Sequence, residues 1–148
     1  MNGPDEAPRR NLVGVVLAAA VTGASVATAI NIINAARHEF ANSLAGWGFV
    51  LLGLQSWGLA YVGVLLIAWG QRQTRGRGAV RIGAVAFALL TGAWAGYHLQ
   101  DLLAADPQAG PVHVAILLQY VLGAGTACLL GLVAALWPQG RPAASAGL

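Results

Sequence analysis

The stretch VHVAILLQYVLGAGTACLLGLVAALW, residues 112–137, decides the fold. It contains no Asp, Glu, Lys or Arg and stops at Pro138, where a continuing helix would lose a hydrogen bond and meet a steric clash. About 20 apolar residues in a helix cross the ~30 Å hydrocarbon core of a bilayer, so this stretch predicts a membrane-spanning helix.

Working outward, three more apolar runs precede it, at about residues 12–33, 47–69 and 81–103. They are continuous instead of alternating, which favours helices over barrel strands. The whole composition agrees: of 148 residues 57% are hydrophobic and 9% charged, and the mean hydropathy is +0.66. A soluble domain carries about 25% charged residues, so a water-facing surface cannot be assembled from this chain. The expected fold is an all-α integral membrane protein. Its four transmembrane helices form one domain, residues 12–137, with short loops that predict an up-down-up-down bundle. Polar residues 1–11 and the Pro/Ala/Gly-rich residues 138–148 are read as flexible tails.

Charge sets the expected orientation. All eight basic residues are arginines. Arg9 and Arg10 precede the first run, Arg72, Arg75, Arg77 and Arg81 surround the second turn, and Arg141 follows the fourth run, against Arg37 alone on the other face. By the positive-inside rule both termini are cytoplasmic. The lack of lysine beside abundant Ala, Gly and Arg points to a bacterial inner membrane. The first run is too long for a cleavable signal core, and three more follow it, so it is read as an uncleaved span. The arginines flank apolar runs as topology signals do, so the net charge of +3 is not read as nucleic-acid binding. Arg72, Arg75, Arg77 and Arg81 are also placed to hold anionic lipid headgroups, at roughly 1 kcal/mol each near a membrane surface.

Small residues recur at intervals of four: Ala84, Ala88, Gly92 and Gly96 in the third run, Gly123, Ala127, Gly131 and Ala135 in the fourth, and Gly14, Ala18 and Thr22 in the first. Such ladders let helix backbones approach closely where lipid supplies no hydrophobic drive. The single Cys128 excludes an intramolecular disulfide and is read as a small core residue. Gln55 and Gln119 are expected to hydrogen-bond between helices.

Groups able to carry chemistry are few. The predicted topology gathers His38, Glu39, His98, Asp101, Asp106 and His113 near one face. Trp94, His98 and Asp101 share a side of the third helix by their i+4 and i+3 spacing. On the helical wheel His113 falls on the small-residue side of the fourth helix with Tyr120, so it is expected to point at a neighbour, whereas Gly96 lies nearly opposite His98. Polar groups at helix ends are first of all wetted interfacial residues. The alternatives are a Zn or Cu site from His38, His98, Asp101 and His113, with Asp101 orienting an imidazole, or a haem or other tetrapyrrole held by His98, His113 and His38. No catalytic triad, phosphate-binding glycine loop or mid-membrane carboxylate is present in the sequence, so no enzyme is expected. The chain reads as a non-catalytic accessory or assembly subunit that meets lipid and other membrane subunits or copies of itself. A small-solute transporter or channel is a further alternative.

Overall fold

Four helices follow one another in the computed structural model, which describes residues 6–39, 44–72, 77–106, 108 and 110–137, and among these the side chains of residues 12–34, 51, 55–72, 78–106, 108 and 110–137. They are α1 (Glu6–Glu39), α2 (Leu44–Arg72), α3 (Arg77–Leu103) and α4 (Pro111–Leu136). Each apolar run has become a helix that overshoots it at one end or both. Helical hydrogen bonds join backbone groups and do not need apolar side chains, so α1 begins at Glu6, inside the segment read as a tail. At α4 the boundaries are sharp. Pro111 occupies the first turn after an extended Gly110, a position where its missing N–H costs nothing. The helix closes at Leu136, with the Trp137 N–H bonded to the Val133 carbonyl at 2.8 Å.

Three helices are long and apolar enough to cross a membrane: Leu12–Asn34, Gly78–Leu103 and Pro111–Leu136, with mean hydropathies of 2.1, 1.5 and 2.0 over an 18-residue stretch of each. The described side chains of α2, residues 55–72, do not reach that standard, because Gln55 and Ser56 at one end and Gln71 and Arg72 at the other dilute the apolar middle.

The helices pack around α4. Within an 18-residue apolar stretch of each span, the buried share is 39% in α4, 22% in α3 and only 6% in α1. Both α3 and α2 lie along α4, while α1 rests mainly on α2 and α2 meets α3 only slightly. Short loops predict that sequential helices are antiparallel neighbours. For α2 and α3 that proximity is slight, because the small residues of α4 admit α2 on one side and α3 on the other.

Two glycines carry those approaches. A Cβ added at Gly123 would sit 2.9 Å from the Ser56 backbone carbon, and one at Gly131 would sit 3.0 Å from Ala88 Cβ and 3.2 Å from the Ala84 carbonyl oxygen. The ladders of α3 and α4 come together where Ala84 and Ala88 face Gly131, and Gly92 lies against Cys128, which is outside the α4 ladder. The α3 ladder ends there. Gly96 is exposed with nothing close to it.

Around these contacts lies an apolar core. Trp57, Ala60, Val64 and Ile67 of α2 repeat at helical spacing and face Ala127, Leu130 and Ala134 of α4, Ala84 of α3 and Val21 of α1. The α1 contact includes one side-chain hydrogen bond. The Thr22 and Tyr61 hydroxyls share a hydrogen bond at 2.5 Å, and Thr22 Oγ1 also lies 2.8 Å from the Ala18 carbonyl of its own helix.

Candidate functional site

Several polar groups lie between α2, α3 and α4. On α4, Gln119 and Tyr120 are adjacent in sequence and face different partners. Gln119 is 2% exposed. Its side-chain oxygen accepts from Trp57 Nε1 at 2.6 Å, and its backbone carbonyl accepts from the Ser56 hydroxyl at 3.0 Å. That second bond lies one turn from Gly123 and accounts for the close approach there. Tyr120 accepts at its hydroxyl from Gln55 Nε2 at 3.0 Å, so both glutamines join α2 to α4 as their positions predicted.

His98 of α3 sits against the other side of Tyr120. The two rings are stacked, with 4.4 Å between centroids and 17° between planes. Trp94 and Tyr97 meet the imidazole edge-on at 5.1 and 5.2 Å, the offset and edge-to-face geometries that aromatic quadrupoles favour. The expected face of Trp94, His98 and Asp101 is thus real. Asp101 Oδ2 stands 3.6 Å from His98 Nδ1, too far for a hydrogen bond. Both imidazole nitrogens are buried without a hydrogen-bond partner among the described residues, as is Gln119 Nε2. An unsatisfied buried donor or acceptor costs about 1–3 kcal/mol. His98 is therefore a polar group held inside by its aromatic surroundings.

The wheel had favoured His113 over His98 as the inward-facing residue, and the structure reverses this. His113 is exposed, and its neighbour Val112 is buried. The angular position was right and the axial one decided the outcome. Contacts between α3 and α4 run in opposite directions along the two helices: Ala88 meets Gly131, Gly92 meets Cys128 and His98 meets Tyr120. His113, seven residues before Tyr120, would need a partner about the same distance past His98, beyond the end of α3 at Leu103.

Of the proposed metal or tetrapyrrole ligands, the structure brings His98 and Asp101 together. His113 faces outward, and the side chain of His38 lies outside the described residues. Among the described residues no three His, Cys, Asp or Glu side chains converge on one point. The basic turn is described in part: Arg72 and Arg81 are exposed, whereas Arg75 and the side chain of Arg77 lie outside the described residues. Sequence reasoning missed the part played by Trp57 and Tyr120. The signal was there in their positions, one residue after Ser56 and one after Gln119, inside otherwise apolar helices. Comparison with known protein families, characterised proteins and solved structures finds no match.

Proposed function

We propose that the chain is a four-span integral membrane protein of the bacterial inner membrane, with both termini in the cytoplasm. It serves as a non-catalytic accessory or assembly subunit of a larger membrane complex. The observation that carries the reading is the state of α1: within its 23-residue apolar span, Leu12–Asn34, an 18-residue stretch is only 6% buried. Its Leu12, Val15 and Val16 are all more than half exposed, and Ile82, Leu89 and Leu90 on α3 are more exposed still. Apolar surface on this scale must be covered by lipid or by other helices. The up-down order is supported by the opposed contacts of α3 and α4, and by those of α2 and α4, which ascend together from Ser56 against Gly123 to Gly63 against Leu130. The interior polar groups serve cohesion, since the glutamines, Trp57 and Tyr120 spend their hydrogen bonds between helices.

Extraction from native membranes in mild detergent tests this. Elution of the chain at fixed stoichiometry with larger membrane subunits is the expected result, and a chain that elutes monodisperse and alone sinks it. A second reading, metal or tetrapyrrole binding, draws on the buried His98 imidazole with both nitrogens unpartnered. Optical spectra and metal analysis of the same preparation test it, with His98→Ala as the discriminating variant.

A further inference from the structure

Along α2 runs an apolar groove of about 390 Å³ whose described lining is Val62, Leu65, Leu66, Ala68, Trp69 and Arg72. Five of these, Val62, Leu65, Leu66, Trp69 and Arg72, follow the i, i+3, i+4, i+7, i+10 pattern of one helix face. The groove thus has a direction, apolar from Val62 to Trp69 and cationic at Arg72. Ten residues of helix rise about 15 Å, half the ~30 Å thickness of a hydrocarbon core. A channel that begins at an arginine and runs apolar for the depth of one leaflet has the polarity and the length of a single phospholipid lying beside the helix.

We propose that this groove binds one anionic phospholipid, with an acyl chain along Val62, Leu65 and Leu66 and its phosphate on the Arg72 guanidinium. Trp69, one turn inside Arg72 and 53% exposed, lies at the depth where indoles favour the headgroup boundary. Arg81 adds positive charge to the same end of the bundle. The end of α2 and the start of α3 are in contact there, since a Cβ at Gly70 would meet Val80 Cγ1 at 3.6 Å. An anionic headgroup is favoured over a zwitterionic one because, among the described residues, the groove is lined by one cation, Arg72, and by no acid. Guanidinium also grips phosphate through two parallel hydrogen bonds. The inference rests on the reading of the chain as a membrane protein and adds the class of lipid, its place and the residue that selects it.

The test uses the full chain in vesicles of phosphatidylcholine doped with phosphatidylglycerol. The vesicles are solubilised and washed in detergent, and the retained phospholipid is identified by mass spectrometry. Phosphatidylglycerol enriched over its share of the vesicle is the expected result. Arg72→Gln should lower that enrichment about fivefold, which is roughly 1 kcal/mol at 1.4 kcal/mol per decade and the contribution of one arginine near an anionic surface. Arg72→Lys should restore most of it. Leu65→Trp, which fills the groove at an exposed position, should displace the lipid while leaving Arg72 in place. Retained lipid that mirrors the bulk vesicle, or enrichment unchanged in both Arg72→Gln and Leu65→Trp, overturns the groove site even when the chain is fully membrane-inserted. A chain left in the aqueous fraction when vesicles are pelleted overturns the membrane reading instead.

Discussion

Tyr120 joins three helices through two different surfaces: its ring lies on the His98 imidazole with centroids 4.4 Å apart, while its hydroxyl accepts from Gln55 at 3.0 Å. The two interactions are separable by substitution. Tyr120→Phe keeps the stack and removes the hydrogen bond, and should cost about 0.6 kcal/mol, at most ~2 kcal/mol, the range for interhelical hydrogen bonds within membranes. Tyr120→Leu removes both. A double-mutant cycle between Tyr120→Leu and His98→Leu, read by unfolding in mixed micelles, should return a coupling of about 0.5–1.5 kcal/mol for the ring pair.

Gly123 and Gly96 are both helical glycines, and they should respond oppositely to alanine. At Gly123 the new Cβ meets the Ser56 backbone at 2.9 Å, which cannot turn aside as a flexible side chain would. Gly123→Ala should destabilise the bundle by about 1–3 kcal/mol, the usual cost of overpacking. Nothing lies within 4 Å of the Cβ position at Gly96, so Gly96→Ala should be neutral or stabilising by up to ~1 kcal/mol through helix propensity. Thermal unfolding of the two variants in one detergent makes the comparison.

The Trp57–Gln119 pair should show the asymmetry of buried hydrogen bonds. Gln119→Leu strands the Trp57 indole N–H in the core and should cost about 1–3 kcal/mol. Adding Trp57→Phe removes the stranded donor, and the double variant should recover part of that loss apart from the packing given up by the smaller ring. A double variant no more stable than Gln119→Leu plus the separate cost of Trp57→Phe would show that the bond does not matter.

His113 and His98 should differ in chemical reactivity. The His98 side chain is 13% exposed and walled by Trp94, Tyr97 and Tyr120, whereas His113 is exposed. Diethylpyrocarbonate should label His113 of the folded, detergent-solubilised protein well before His98, with the difference vanishing on unfolding. Peptide mass spectrometry reads both sites in one digest. Equal rates in the folded state would contradict the packing of α3 on α4.

Much of the architecture was legible in the residues because membrane helices are specified by local composition. Four apolar runs became four helices, and Pro138 marked the end of α4 without reference to any other element. Gln55 and Gln119 were readable as interhelical partners, since an amide inside an apolar helix has few other places to satisfy itself. The ladders of Ala84, Ala88 and Gly131 announced close contact for the same reason, that small side chains matter only where another backbone comes near.

What the residues alone did not determine is which helix stands at the centre and which histidine lies inside. Both depend on how far one helix is shifted along another, and a helical wheel carries angle without axial offset. α4 became central because Gly123 and Gly131 open it on two sides, so α2 and α3 pack on it more than on each other. His98 is enclosed because Tyr120 stands opposite it, and His113, nearly the same in angle as Tyr120, is exposed because α3 has already ended. The sequence by itself determined four helices, the place of their apolar stretches and the small residues that join them. Tertiary structure alone decided the register between them, because register is set by the summed fit of side chains across an interface and by no single residue.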